Sequence, residues 1–253
     1  MQPADPAARE CLSVVVPCFN EVETLKTVLD HVLASPFTGE VVIVDDGSTD
    51  GTLELARELA VGDARVRLFE QGLNRGKGAA LRRAFAEVKG PFVIVQDADL
   101  EYDPNEYGTM LEPLIDGRAD VVYGSRFLSG RPHRVLYFWH SLGNKFLTVV
   151  SNMFTDLNLS DMETCYKAFR VEVLRNLEIQ EDRFGIEPEI TAKVARGGWR
   201  IYEVGISYTG RTYAEGKKIG WKDGLRALYC IVRYSPVADR LRRRPRNNAR
   251  AEA

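Results

Sequence analysis

The stretch Val93-Ile94-Val95-Gln96-Asp97-Ala98-Asp99-Leu100-Glu101-Tyr102-Asp103-Pro104 begins as an apolar, β-branched run and ends in two carboxylates separated by one alanine. Residues two apart on a strand share a face, so the pattern predicts a buried strand that delivers Asp97 and Asp99 to one side where it stops. Two bare carboxylates so placed repel, and one tends to keep its proton. A hard divalent cation relieves the repulsion by taking one or two such oxygens and completing its shell with substrate phosphates. Taken alone, the same residues also suit a polar strand-to-helix loop with Asp99 or Asp103 as an N-cap.

Three other segments repeat the pattern. Leu12 to Val16 runs into Pro17-Cys18-Phe19-Asn20-Glu21, Val41 to Val44 into Asp45-Asp46-Gly47-Ser48-Thr49-Asp50-Gly51-Thr52, and Asp120 to Tyr123 into Gly124-Ser125-Arg126. Apolar runs without alternation read as strands buried on both faces, the mark of a largely parallel sheet. Between them, Thr24 to Ala34 and Thr52 to Leu59 have helical spacing, which predicts alternating strands and helices. In such sheets ligands bind beyond the carboxyl ends of the strands, where every one of these polar clusters falls. The clusters are therefore expected to share one site.

In order and spacing, the segments 16–21, 44–52, Asn74-Arg75-Gly76-Lys77-Gly78, Asp97-Ala98-Asp99 and Gly124-Ser125-Arg126 resemble family 2 glycosyltransferases. Gln96 to Pro104 resembles, more narrowly, the dolichyl- or polyprenyl-phosphate mannosyl- and glucosyltransferases. The resemblance spans roughly residues 11 to 220 and rests on several independent motifs. It implies a GT-A fold, α/β and Rossmann-like, with a mostly parallel sheet flanked by helices in a single domain. It also implies a nucleotide-sugar donor, GDP-mannose or UDP-glucose, a divalent Mg²⁺ or Mn²⁺, and inverting transfer to a polyprenyl phosphate.

Residue roles follow as expectations. Pro17, Asn20, Glu21, Asp45, Asp46, Lys77 and Asp97 face the donor, the Asp45-Asp46 carboxylates accepting from base or ribose donors. Asp97, Asp99 and Glu101 hold the metal. Arg126, Arg131, Lys217 and Lys218 hold the acceptor phosphate, for which guanidinium geometry is suited. Asp99, Arg126, Arg211 and Asp161 form the catalytic set. Asp161 to Arg170 aligns with the family's Asp-x-x-Ser-Gly-Phe-Arg segment but departs from it at Glu163, Cys165 and Lys167. Arg211 to Gly220 resembles the family's Arg-x-x-Gly-x-Ser-Lys loop with one residue inserted and lysine in place of serine; such a loop can close over a diphosphate. A hydroxyl acceptor needs a base, with Asp161 or Glu163 the natural candidates, whereas a phosphate is already ionised near neutrality. Gly198-Trp199-Arg200 lacks the glutamine of a Gln-x-x-Arg-Trp motif, which argues against a processive polysaccharide synthase.

Composition is compatible with this reading. The chain has 253 residues, 45% of them hydrophobic, enough for one large α/β domain. Its four cysteines, Cys11, Cys18, Cys165 and Cys230, have no metal-ligand spacing and suit a reducing compartment. No signal peptide or membrane-spanning run is expected. Residues 1–10 read as a flexible N-terminus, 11–220 as the catalytic domain, 221–239 as an amphipathic helix and 240–253 as a disordered basic tail. Nucleic acid is not an expected partner, because the Arg240 to Arg246 cluster has no aromatic platform around it.

A membrane surface, or a membrane-anchored partner protein, is the expected docking site, at the cytoplasmic face. Val135, Trp139, Leu142, Phe146, Val149 and Met153 recur at steps of three and four, as do Trp221, Leu225, Leu228 and Val232. Lys222, Arg226 and Arg233 fall within roughly 40° of one another at 100° per residue. Each stripe suits either a lipid interface or the protein core. Two further functions stay open: a soluble transferase acting on a small hydroxyl acceptor, and a non-catalytic nucleotide-sugar binding module.

Overall fold

The computed structural model describes residues 10–128, 134–135, 137–211 and 221–238. The chain alternates strands and helices: β1 Leu12–Cys18, α1 Leu25–Ala34, β2 Thr38–Asp45, α2 Thr52–Gly62, β3 Val66–Glu70, α3 Lys77–Glu87 and β4 Phe92–Val95. After a 3₁₀ turn at Pro104–Glu106 come α4 Tyr107–Ile115, β5 Val121–Ser125, α5 Phe138–Thr155, β6 Lys167–Arg170, α6 Val171–Arg175, α7 Ile186–Gly197, β7 Ile201–Gly205 and α8 Trp221–Tyr234. The strands form one sheet in the order β3-β2-β1-β4-β6-β5-β7. All neighbours run parallel except β6, which is antiparallel to both β4 and β5.

The unalternating apolar runs are explained by helices on both faces. Val14, Val16, Val41, Ile43 and Ile94 pack with α1 and α4 on one side, while Val15, Val42, Val44, Val93 and Val95 pack with α3 and α7 on the other. Successive side chains of one strand thus enter opposite cores, and both positions must be apolar.

β1 runs two residues past its expected end, through Pro17 and Cys18, still paired with β2. Its pairing with β4 stops at Val15↔Val95. Pro17, which has no N–H, therefore sits where the ladder divides and no donor is required on the β4 side. The division opens a crevice at the carboxyl end of the sheet centre, the position at which such sheets bind ligands.

The expected helix from Val135 begins at Phe138. Its apolar stripe faces outward: Trp139, Leu142, Phe146, Val149 and Met153 are all exposed, Trp139 by 77% and Met153 by 75%. The fully buried positions of α5 are Thr148, Ser151 and Thr155. On α8, Leu225, Tyr229 and Val232 are exposed, while Arg226 turns to Glu181 and Arg233 to Tyr229, so its arginines are engaged within the protein. The expected flexible N-terminus, apart from Glu10, and the basic tail 240–253 lie outside the described residues.

Candidate functional site

β4 stops at Val95, so Asp97 and Asp99 are not placed by strand alternation as the sequence pattern implied. They stand on a turn in which Leu100 adopts a left-handed conformation at φ 60. The turn is tied to α1 by Thr24, whose hydroxyl donates to the Ala98 carbonyl at 2.6 Å. It points the two carboxylates at different partners.

Asp97 lies 2.6 Å from the Lys77 ammonium at the start of α3. Lys77 also approaches Cys165 Sγ at 2.8 Å and Glu187 at 3.8 Å. Burial opposes the charge on Lys77, but Asp97, Cys165 and Glu187 outweigh it and hold the ammonium well above its ordinary value. Burial likewise pushes Asp97 up, and Lys77 overrides it, holding the carboxyl below the usual range. Among the described residues the Asp99 carboxylate forms no such ion pair, although Arg211 donates to the Asp99 carbonyl at 3.3 Å. Burial, then Asp97 and Glu101, push its pKa up to about 8. Asp103 does cap the 3₁₀ turn, accepting from the Asn105 N–H at 2.9 Å.

On the β1–β2 side the polar residues mostly organise loops. Asp46, expected to face the nucleotide, is used internally: it accepts from Gln71 Nε2 at 2.9 Å and from the Arg75 and Gly76 amides at 2.7 Å each. Asp45 accepts from the Gly47 and Ser48 amides through Oδ2, while its buried Oδ1 has no hydrogen-bond partner among the described residues. Asn20, left-handed at φ 55, accepts from the Thr49 amide at 2.8 Å and fastens β1 to the β2–α2 loop. Glu21 receives the Arg211 guanidinium at 2.6 and 3.2 Å.

Glu101, expected as a third metal ligand, instead anchors the segment that follows β7. One oxygen accepts from Tyr208 Oη at 2.9 Å and the other from the Arg211 amide at 2.7 Å. Arg211 reaches from there across the Asp99 carbonyl to Glu21.

Arg126, just beyond β5, is gripped by Asp161 at 2.6 and 2.7 Å and by Asn144 Oδ1 at 3.2 Å, and lies over the Tyr208 ring at 5.1 Å. Burial would raise the Asp161 pKa, but Arg126 and Asn144 hold it below the usual range. Asp161, placed in the catalytic set on sequence grounds, therefore positions Arg126. Glu163 lies nearby with a buried Oε1 lacking a hydrogen-bond partner among the described residues. Burial and then Glu187 push its pKa up to about 8. Lys167 points into the core over the Tyr123 ring and donates to the Met162 and Thr164 carbonyls. Arg131, Lys217 and Lys218 lie outside the described residues.

Asn144, Tyr208, Cys165 and Glu187 join the site without having been singled out as site residues. For Asn144 a signal existed. Asn144, Thr148, Ser151 and Thr155 form a polar row at helical spacing, opposite the apolar stripe of α5.

The glycosyl transferase family 2 model matches residues 13–178, which include β1, the Asp97–Asp99 turn, Arg126 and Asp161. The chain is a family 2 glycosyltransferase. Undecaprenyl-phosphate mannosyltransferase of Micrococcus luteus is 30% identical over 81% of this chain and 86% of its own length. Polyprenol monophosphomannose synthase of Mycolicibacterium smegmatis is 29% identical over 82% and 80%. Glycosyltransferase AglJ of Haloferax volcanii is 30% identical over 79% of this chain, which spans 63% of that relative's length. Among solved structures, glucosyl-3-phosphoglycerate synthase from Mycobacterium tuberculosis, in complex with Mn²⁺, UDP and glucosyl-3-phosphoglycerate, superposes with TM-score 0.70 at 22% identity, covering 90% of this chain and 81% of that one. The fold is GT-A.

The family 2 site fits a hard cation. No cluster of three or more metal-ligating side chains exists among the described residues. Mg²⁺ needs only one or two carboxylates when phosphates complete its shell. Asp99, pushed toward its protonated form by burial and then by Asp97 and Glu101, is the group such a cation would relieve.

Proposed function

We propose that this glycosyltransferase moves a hexose, mannose or glucose, from a GDP- or UDP-linked donor to a polyprenyl phosphate, with inversion and with Mg²⁺ or Mn²⁺. The observation that carries the reading is that Asp161, the carboxylate beside Arg126, is not free to act as a base: its oxygens accept four hydrogen bonds, three from Arg126 and one from Asn144, and it holds the guanidinium ready for an anion. A hydroxyl acceptor needs a base there, whereas a phosphate monoester arrives ionised.

In this mechanism Asp99, with Asp97 beside it, would hold the cation, whose chemistry when bound would be to stabilise negative charge on the leaving nucleoside diphosphate. Lys77 supports Asp97 and adds positive charge beneath the diphosphate. Arg211 exchanges Glu21 for the donor phosphates as they bind. Arg126, pre-oriented by Asp161, presents its remaining N–H groups to the acceptor phosphate and aligns it for attack on C1. Pro17, Asn20, Glu21 and Asp45 shape the nucleoside end.

The acceptor's lipid tail leads to a membrane surface. Among the described residues no helix is long and apolar enough to cross a membrane. The outward stripe of α5 supports peripheral attachment, because α5 also carries Asn144 into the acceptor site. All four cysteines are thiols, which suits attachment at the cytoplasmic face.

The test is to incubate the purified protein with radiolabelled GDP-mannose or UDP-glucose, polyprenyl phosphate and Mn²⁺. The expected outcome is label that partitions into organic solvent and is abolished by EDTA. A water-soluble product formed only with small alcohols would select the hydroxyl acceptor instead, and donor binding without any turnover would select a binding module.

A further inference from the structure

On the far side of the donor loop, residues 180–182 are wedged between α8 and the Gly76-Lys77-Gly78 turn. Toward α8, the buried Glu181 carboxylate receives Arg226 at 2.7, 2.9 and 3.0 Å and Tyr234 Oη at 2.8 Å. Burial opposes its charge, and the Arg226 and Tyr234 hydrogen bonds override that and hold the carboxyl below its usual range. The Gln180 and Glu181 amides donate to Glu189 at 2.8 and 2.7 Å, and Glu189 is itself completely buried and paired with Lys193 at 2.5 Å.

Toward the donor loop, the Glu181 and Asp182 carbonyls press on Gly78 and Gly76, so closely that a Cβ at either glycine would collide with them. Gly76 has φ 104, which few side-chain-bearing residues adopt, and the Asp182 carbonyl accepts from the Ala79 amide at 3.1 Å. Lys77 sits between these two contacts, so a shift of the wedge shifts its ammonium relative to Asp97.

We propose that Glu181, clasped by Arg226, is a positioning residue that sets the Gly76-Lys77-Gly78 loop and thereby the affinity for the nucleotide donor. The proposal rests on the assignment of Lys77 to the donor site. It makes α8 a structural extension of the donor site, although none of its described side chains touches that site's carboxylates in the contacts above.

Two readouts separate the parts: hydrogen exchange at the Gly76 and Ala79 amides in the free protein, and the Kd for GDP and for UDP with Mn²⁺. Arg226 is 53% exposed and Tyr234 Oη, 2.8 Å from Glu181, still donates to it when Arg226 is replaced, so the fold should survive, and Glu181→Gln controls for the unpaired charge. Arg226→Ala is expected to speed exchange at both amides and to weaken nucleotide binding by about tenfold, with Arg226→Lys recovering part of the loss. Glu181→Gln should match Arg226→Ala. In a Lys77→Gln background, Arg226→Ala should add less than about twofold, because the effect passes through Lys77. Unchanged exchange and Kd in Arg226→Ala, or full multiplication of the two losses, would overturn the proposal. Faster exchange in Arg226→Ala, with a wild type that binds neither nucleotide, keeps the clasp and overturns the donor assignment.

Discussion

Asp97 neutralises Lys77 across 2.6 Å with both side chains largely buried, whereas at Asp99 burial and the charges of Asp97 and Glu101 outweigh the pull of Arg211. Substitution of the two should therefore separate stability from activity. Asp97→Ala leaves the buried ammonium with only the more distant Glu187, 3.8 Å away, and is expected to cost about 3 kcal/mol, read as a fall in Tm of about 6–12 °C, together with loss of transfer. Asp99→Ala should abolish transfer with Tm unchanged or raised. Equal Tm losses in the two variants would contradict this division. At Arg126, lysine keeps the charge but cannot make the fork to Asp161 and still face a phosphate, so Arg126→Lys should lower kcat/KM by about a hundredfold. Glu163 supplies a pH test. Its folded pKa of about 8 lies above the ordinary glutamate value of 4.5, so the folded state holds the extra proton. Its contribution to stability is full below about pH 4.5 and is lost as pH rises toward 8. Glu163→Gln, which mimics the protonated acid, should flatten that loss and raise Tm at pH 8 by about 2–4 °C for each 1 kcal/mol recovered. A Tm difference between wild type and Glu163→Gln that does not change with pH would remove the assignment.

α5 carries an apolar stripe on its outer face, Trp139, Phe146 and Met153, while inward it buries Thr148, Ser151 and Thr155 and packs Leu147, Val150 and Phe154 against the core. Replacing core residues with polar ones normally costs several kcal/mol, but these mostly exposed positions have little packing to lose. Trp139→Ser combined with Phe146→Ser should leave Tm within about 2 °C and strongly reduce co-sedimentation with lipid vesicles. A large fall in Tm would mean the stripe packs against protein. Spacing alone could not choose between the two readings, because an apolar row at steps of three and four looks the same whether lipid or core covers it. The buried polar row on the opposite face was the discriminating pattern.

For the whole molecule, the basic face expected on α8 is largely used up internally. Arg226 is committed to Glu181, and Arg233 donates to Tyr229 at 2.6 Å. The salt-sensitive part of vesicle binding should therefore come from the Arg240 to Arg246 run. As the Debye length shortens from about 10 Å at 0.1 M salt to about 3 Å at 1 M, binding of the full chain to anionic vesicles should weaken, while a chain ending at Ala238 should bind less tightly and be nearly indifferent to salt. Equal salt dependence of the two chains would place the lipid-facing charge elsewhere.

Strand identity, the parallel class of the sheet and the clustering of polar loops at one end were legible because burial on both faces demands continuous apolar runs, and strand-end chemistry sits beside them in the chain. The location of Asp97, Asp99 and Arg126 just past the carboxyl ends of β4 and β5 was readable for the same reason. The insertion of β6 antiparallel between β4 and β5 was not, since pairing between segments some 75 residues apart leaves no local trace. Nor were the partners of the site's charges. Whether Asp46 binds a ligand or a backbone amide, whether Glu101 holds a metal or Tyr208, and whether Asp161 is a base or the brace of Arg126 depend on which donors the fold brings within about 3 Å. A side chain's type sets what it can bond to; only tertiary structure decides which partner arrives first.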